Sequence, residues 1–236
     1  MIIIKSLIFT LAFYLATYVL LFLTLPVLLI PKKYNFMPYY WCGLITWLAR
    51  KMVGIKEEVI GAENLPKSPY LIVSKHQSAW ETLAFNYIFP KCAFILKKEL
   101  LRIPFFGLYL IHAGMIPLDR KNSSGLKRML RIAKQRIKEG RSVVIFPEGT
   151  RTKPGTINSY KKGVYLLYRT LNVSVVPVAL NSGVFWPRNT LLKHAGTIKV
   201  EILKPIEPGL DEKTFMEKIE TEIETASNRL YKESTT

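Results

Sequence analysis

Two side chains suited to proton transfer lie close together in the segment SKHQSAWE, residues 74–81. His76 is one of three histidines in the chain, and Glu81 follows it by five residues. A neutral imidazole is the usual general base near neutral pH, and a carboxylate on its second nitrogen fixes the tautomer and stabilises the imidazolium that forms. Because the segment follows the apolar run PYLIV, we expect His76 in a loop at a strand end and Glu81 in the first turn of the next helix. This spacing also occurs by chance, so an ordinary loop histidine is the competing interpretation.

A second candidate segment is VVIFPEGTR, residues 143–151, which passes from an apolar run into a turn. Glycine lets the backbone approach a ligand closely, and arginine offers a planar fork of donors suited to phosphate. Glu148 in so basic a region would hold the arginine or a substrate hydroxyl in place. The alternative is an acidic turn that only ends a strand.

The sequence lacks the motifs of several other kinds of chemistry. It contains no P-loop, no G-x-G-x-x-G and no G-x-S-x-G elbow, which argues against a nucleotide cradle and a serine nucleophile. Cys42 and Cys92 are too few and too far apart for a disulfide framework or a metal site, and are best explained as free thiols in a reducing compartment. We therefore expect no metal and no cofactor.

Positive charge is concentrated in the middle of the chain. The formal net charge is +17, and residues 75–204 contain 23 basic residues against 6 acidic ones. From residue 205 onward there are 4 basic residues against 8 acidic ones. A basic middle implies an anionic partner, which could be nucleic acid, an anionic membrane surface or a phosphorylated small molecule.

The N-terminal segment favours the membrane among these partners. Residues 6–31 contain no charged side chain, and this segment is long enough to cross a hydrocarbon core of about 30 Å as a helix. Lys32 and Lys33 follow directly, so we expect a membrane-associated protein with its main domain on the cytoplasmic face (of the inner membrane, if the source is bacterial) and no nucleic acid partner. Residues 39–55 are aromatic and apolar and predict an interfacial or re-entrant helix rather than a second span. The two segments together could span the bilayer or form a hairpin in one leaflet, and Pro26 and Pro31 permit either.

Short apolar runs alternate with amphipathic segments after Gly61. The runs at residues 70–73, 92–96, 142–146, 173–180 and 197–203 predict strands, and residues 124–139 and 211–232 predict helices. This alternation predicts an α/β fold with a mostly parallel sheet flanked by helices. We divide the chain into a two-helix membrane-attachment segment, residues 1–58, and an α/β domain, residues 59–236.

Four blocks in order make the chain resemble the membrane-bound glycerolipid acyltransferases, most closely the 1-acyl-sn-glycerol-3-phosphate acyltransferases. His76 and Glu81 match the family's His-x-x-x-x-Asp block, IPLDR with Arg120 matches its second, FPEGTR its third and VVPVAL its fourth. The resemblance covers roughly residues 65–205. One departure is that the family usually has aspartate where this chain has Glu81.

The resemblance implies transfer of an acyl chain from an acyl thioester to the free sn-2 hydroxyl of lysophosphatidic acid, which forms phosphatidic acid. His76 and Glu81 would be catalytic, acyl-CoA or acyl-carrier protein would be the co-substrate, and membrane lipid would surround the site. The expected substrate-binding residues are Lys97, Arg120, Glu148, Gly149, Thr150 and Arg151. Competing interpretations are acylation of glycerol 3-phosphate or another lysophospholipid, and a non-catalytic protein that binds anionic membranes.

Overall fold

The computed structural model of the protein describes residues 1–29, 37–120 and 122–235. Lys32 and Lys33, on which the predicted membrane orientation rests, lie outside the described residues.

Two helices precede the sheet. Helix α1 (Ile2–Leu23) leads into a short 3₁₀ turn, Leu25–Leu29. Helix α2 (Met37–Leu48) continues as a π-helical turn, Ala49–Val53, and ends at Gly54, whose φ of +83° closes the turn. Of the helices in the described part of the chain, α1 alone has the length and apolar composition needed to cross a membrane. The interfacial or re-entrant helix predicted at residues 39–55 corresponds to α2 and its π-helical continuation, and its position relative to a membrane stays a prediction.

The sheet in the described part of the chain has seven strands. They are β1 (Ile55–Ile60), β2 (Leu71–Ser74), β3 (Ala93–Lys97), β4 (Ile116–Leu118), β5 (Val143–Ile145), β6 (Val175–Leu180) and β7 (Gly196–Ile202). Their order across the sheet is β1-β7-β6-β2-β5-β3-β4. Strands β4, β3, β5, β2 and β6 run parallel to one another, whereas β7 is antiparallel to β6 and parallel to β1. The prediction of a mostly parallel α/β sheet is confirmed.

Helices cover both faces of this sheet. Those that follow α2 are α3 (Trp80–Ile88), α4 (Phe106–His112), α5 (Ser123–Lys138), α6 (Gly163–Leu171), α7 (Ser182–Phe185) and α8 (Glu212–Glu233). One apolar cluster joins alternate strand residues to α1, α2 and α3, and includes Ile72, Val144 and Val176. A second cluster on the opposite face joins Leu71 and Val143 to α5, α6 and α8. Burial on both faces explains why the central strands are continuous apolar runs.

Two strands do not follow from the sequence pattern. Strand β1, IKEEVI, lies at one edge of the sheet and carries three charged residues, so it lacks the apolar run of the central strands. Strand β4 is only three residues long and contains Pro117. Because β1 begins at Ile55, it extends across residue 58, the predicted end of the membrane-attachment segment.

The carboxyl ends of the five parallel strands lie side by side, and α/β folds commonly bind ligands at these strand ends. The loop after β2 carries His76, β3 ends on Lys97, and β4 is followed by Arg120. The FPEGTR turn follows β5, and Ser182 follows β6. The fold therefore brings the first three resembling blocks, and the loop that follows the fourth, together at these strand ends.

Candidate active site

The imidazole and the carboxylate of the first block are in direct contact. His76 Nδ1 lies 2.9 Å from Glu81 Oε1, as the spacing predicts. Glu81 occupies the first turn of α3 and is completely buried. A carboxylate at Nδ1 places the ring proton on that nitrogen, which leaves Nε2 as the basic position.

Further donors fix the Glu81 carboxylate. Its Oε1 accepts hydrogen bonds from the backbone N–H groups of Gln77 and Ser78, both at 2.7 Å. Its Oε2 accepts a hydrogen bond from the Ser182 hydroxyl at 2.8 Å. Hydrogen bonds to the ionised form stabilise a buried carboxylate as the anion. The pair is thus rigid as well as close.

Phe146 fixes the plane of the imidazole. The two rings stack with centroids 4.0 Å apart and an interplanar angle of 15°. The His76 side chain nevertheless keeps 16% of its surface exposed, and it forms part of the wall of a large cavity. A substrate in this cavity can therefore reach the ring.

The cavity has a volume of about 930 Å³ and an apolar region beside its polar one. Side chains from the N-terminal helices, from α3 and α4 and from the sheet form the apolar region, namely Leu21, Trp41, Leu83, Phe94, Phe106 and Leu110. Volumes of this size hold ligands as large as a small drug or lipid.

Among the residues that the structure describes, five cations line the polar region, namely Lys97, Arg120, Arg151, Lys161 and Arg188. Arg120 Nη1 donates to the Gly149 carbonyl at 2.7 Å, which ties the second block to the third. Arg188 donates to the Arg151 carbonyl. The Asp119 carboxylate lines the same cavity. This excess of positive charge suits a phosphate group.

The turn after β5 depends on its glycine. Gly149 has a φ of +70°, which L side chains rarely adopt, and the Arg120 guanidinium lies 3.4 to 3.5 Å from the place where a Cβ would be. Gly149, Thr150 and Arg151 all line the cavity. Their contact with substrate stays a prediction.

Glu148 is placed differently from its neighbours in the turn. It is buried, and it does not belong to the cavity wall. Its Oε1 lies 2.8 Å from Lys75 Nζ and accepts a hydrogen bond from the Thr152 hydroxyl, while Oε2 accepts one from the His76 backbone N–H. Burial raises the pKa of this carboxyl, and the Lys75 ammonium opposes that rise. Its predicted contact with substrate stays a prediction.

The site also includes four residues that are not among the predicted ones, namely Ser182, Arg188, Lys161 and Phe146. Ser182 directly follows the fourth block, at a strand end where ligand sites form, and that position was the available signal. Neither Arg188 nor Lys161 has a distinguishing pattern in a chain with 34 Lys and Arg residues.

Neither of the other two histidines belongs to the cavity wall. His112 is buried, and His194 is exposed. Within residues 1–29, 37–120 and 122–235, no group of three or more His, Cys, Asp or Glu side chains could hold a metal ion.

Comparison with known proteins places this site in a family. The family model described as Acyltransferase matches residues 56–181. The 1-acyl-sn-glycerol-3-phosphate acyltransferase of Pseudomonas aeruginosa is 38% identical over 182 residues, which cover 77% of this chain and 71% of that protein. The Borreliella burgdorferi protein of the same name is 36% identical over 66% of this chain and 62% of its own length.

A human relative and a solved structure extend the comparison. The human 1-acyl-sn-glycerol-3-phosphate acyltransferase alpha is 33% identical over 66% of this chain and 56% of its own length. The chain thus spans less than two thirds of the Borreliella and human proteins. The crystal structure of the 1-acyl-sn-glycerophosphate (LPA) acyltransferase PlsC from Thermotoga maritima superimposes with a TM-score of 0.78, covers 98% of both chains and is 25% identical.

Proposed function

The chain belongs to the acyltransferase family, and from this premise we propose that it acylates the sn-2 hydroxyl of 1-acylglycerol 3-phosphate to form phosphatidic acid. The observation that carries the proposal is the His76–Glu81 pair, which opens onto a cavity with both a cationic and an apolar region. The relatives named above support the same acceptor.

In this reaction His76 is the general base. Nε2 takes the proton of the sn-2 hydroxyl as that oxygen attacks the carbonyl carbon of an acyl thioester, so that a C–O bond forms. The C–S bond then breaks, and His76 transfers this proton to the departing sulfur. Glu81 stabilises the imidazolium that exists between these two steps. No covalent acyl-enzyme is required, and the thioester belongs to acyl-CoA or to acyl-carrier protein.

The cationic region binds the phosphate of the acceptor in this proposal. Arg120 and Arg151 are its main contacts, and Lys97 lines the same region. The hydrogen bond from Arg120 to the Gly149 carbonyl holds one guanidinium against the turn that carries the other. Arginine suits this role because its fork can bind two phosphate oxygens at once.

The apolar region of the cavity binds an acyl chain. It is walled by Trp41 of α2 and Phe106 of α4 as well as by strand residues, so the N-terminal helices complete the site. Burial of an acyl chain there is favourable by about 0.8 kcal/mol per methylene group. A chain length that matches the cavity would therefore bind best.

An exposed apolar surface supports a position at the membrane. Beside α1, five large apolar side chains of one segment are exposed, namely Leu100, Ile103, Phe105, Leu108 and Ile111. The Tyr109 hydroxyl joins this segment to α1 through the Leu21 carbonyl and the Thr24 hydroxyl, each at 2.8 Å. Exposed apolar patches of this kind mark membrane or partner sites. We propose that α1 and residues 100–111 contact the bilayer together, with the α/β domain on the cytoplasmic face.

The test is transfer of a labelled acyl chain from acyl-CoA or acyl-carrier protein to lysophosphatidic acid by the purified protein. His76→Ala should abolish transfer, whereas His194→Ala, which changes an exposed histidine, should leave it unchanged. A His76→Ala variant with parental activity would remove the proposed base. Glycerol 3-phosphate serves as the competing acceptor, and its preferential acylation would contradict the assigned substrate. Absence of any transfer would favour a membrane-binding protein without catalysis.

A further inference from the structure

A buried ion cluster joins the C-terminal helix to the loop that carries His76. Lys75 Nζ lies 2.7 and 2.8 Å from the two carboxylate oxygens of Glu224 in α8 and 2.8 Å from Glu148 Oε1. Lys75 is 1% exposed, and both carboxylates are buried. Around them, the Thr156 carbonyl accepts a hydrogen bond from Lys75, and the Tyr160 hydroxyl donates one to Glu224.

The same cluster holds the backbone on both sides of His76. Glu148 Oε2 accepts a hydrogen bond from the His76 N–H at 2.8 Å. Thr152, which donates to Glu148 Oε1, also donates its backbone N–H to the His76 carbonyl at 2.8 Å. The position of the imidazole therefore depends on Glu148, which in turn depends on Lys75.

The burial of this ion cluster carries a large free-energy cost. Ion pairs at buried sites must overcome a desolvation cost, and apolar side chains of similar volume stabilise a protein equally well or better. Here one ammonium faces two carboxylates, which adds repulsion between the carboxylates to that cost. The raised pKa of Glu148, caused by burial, agrees with such a cost. A contribution to the geometry of the active site explains the cluster better than stability does.

We propose that Glu224 is a positioning residue for acyl transfer, because it fixes Lys75 and thereby keeps Glu148 on the backbone of His76. Glu224 lies in α8, outside the residues 56–181 that match the family model, and it does not line the cavity. The inference rests on the proposed function, in which His76 is the base. It assigns a role in the reaction to the C-terminal helix.

The first arm of the experiment measures acyl transfer by Glu224→Gln. Glutamine keeps the size of the side chain and an oxygen for the Tyr160 hydroxyl, but it removes the charge that binds Lys75. Because displacement of a catalytic group by about 1 Å costs up to about a hundredfold, we expect kcat to fall about tenfold or more. The acceptor KM should change less than twofold, since Glu224 does not touch the cavity.

Two further variants separate positioning from general damage. Glu222→Gln makes the same change on the same helix, where Glu222 lies 3.9 Å from Lys218 in a partly exposed pair, and it should keep the parental kcat. Glu224→Asp retains the charge and should recover part of the kcat lost in Glu224→Gln. A loss of thermal stability with the parental kcat in the folded protein would mean a structural role only, and would overturn the proposal.

A second readout does not depend on activity. The chain has three histidines, so a protein labelled with ¹⁵N-histidine in detergent gives three pairs of imidazole nitrogen signals, and His76→Ala assigns one pair. Glu224→Gln should shift the His76 signals and leave those of His112 and His194 in place. If the glutamine variant fails to fold, Lys75→Arg replaces it and should give the same result. An unshifted His76 signal would overturn the proposal. If the unmodified protein transfers no acyl chain, the proposed function fails, and the imidazole signals still decide whether Glu224 positions His76.

Discussion

Replacement of Glu81 by glutamine separates the charge of the pair from its shape. The glutamine carbonyl can still face His76 Nδ1 and the backbone N–H groups of Gln77 and Ser78, which Glu81 Oε1 contacts at 2.7 to 2.9 Å. Its amide group would then face the Ser182 hydroxyl, which can rotate to accept a hydrogen bond. The imidazole keeps its tautomer and its orientation, and only the negative charge is lost.

The size of the effect follows from the distance between the charges. In the proposed reaction His76 becomes positive in the transition state. An imidazolium whose charge centre lies about 4 Å from that of a carboxylate gains about 4 kcal/mol at an effective dielectric constant near 20. Each 1.36 kcal/mol is about tenfold in rate, so Glu81→Gln should lower kcat by about a thousandfold. The acceptor KM should change little, because Glu81 is buried and does not line the cavity.

Aspartate is the matched comparison, because it keeps the charge and withdraws it by one methylene. At a separation of about 5.5 Å the same calculation gives about 3 kcal/mol, which is about 1 kcal/mol less, so Glu81→Asp should lose only about fivefold in kcat. Glutamine keeps the contact without the charge, whereas aspartate keeps the charge with a longer contact. The order of the two variants therefore tells which of these matters more.

The assay is initial-rate transfer of a labelled acyl chain to lysophosphatidic acid at saturating acceptor, with thermal unfolding as the control for folding. We expect kcat to decrease in the order parent, Glu81→Asp, Glu81→Gln. The reverse order of the two variants would refute the reasoning, because it would mean that contact geometry rather than negative charge supports His76.

The remaining predictions concern the phosphate region, the carboxylate, the membrane surface and a buried thiol. Arg188→Ala should raise the KM for lysophosphatidic acid more than it lowers kcat, because Arg188 lines the cationic region and holds the Arg151 carbonyl; an unchanged KM would exclude it from the phosphate site. Ser182→Ala should lower kcat about tenfold, since a hydrogen bond to a charged group contributes about 1.5 kcal/mol or more, and parental kinetics would contradict this. Leu108→Asp should weaken binding to lipid vesicles in a flotation assay while transfer to detergent-solubilised acceptor is retained, and equal flotation would mean that residues 100–111 do not contact lipid. Burial raises the pKa of Cys92 to about 12, so iodoacetamide at pH 8 should label it far faster in urea than in the folded protein; rapid labelling without urea would contradict this burial.

Local patterns predicted much of the fold and of the site. The central strands are detectable because both of their faces are buried, which makes them continuous apolar runs such as Leu71–Ser74 and Val175–Leu180. His76 and Glu81 are detectable because the strand end and the first helical turn that hold them are separated by only five residues. In both cases the information lies within one short segment.

Contacts between distant segments were not predictable in this way. Lys75 and Glu224 are 149 residues apart, and Ser182 and Glu81 are 101 apart, so no spacing rule connects them. A charged residue in a helix normally predicts a solvated face, and nothing in the sequence of α8 distinguishes the buried Glu224 from the partly exposed Glu222. Strand β1 does not follow from the sequence for a related reason. It lies at the sheet edge and carries charged side chains, so it has no apolar run, and its partner β7 is distant in the chain.

The donors around Glu81 hold a side chain longer than the usual one. The blocks that the chain resembles usually carry aspartate at this position, and glutamate adds one methylene and one rotatable bond. A longer side chain loses more conformational freedom when it is fixed, and the contacts of its carboxylate offset that loss. Gln77 and Ser78 donate from the backbone just before α3, and Ser182 donates from α7 across the sheet edge, which fixes both oxygens. The longer side chain thus depends on the loop after β6, and this dependence is why a change at Ser182 should reach the imidazole through Glu81.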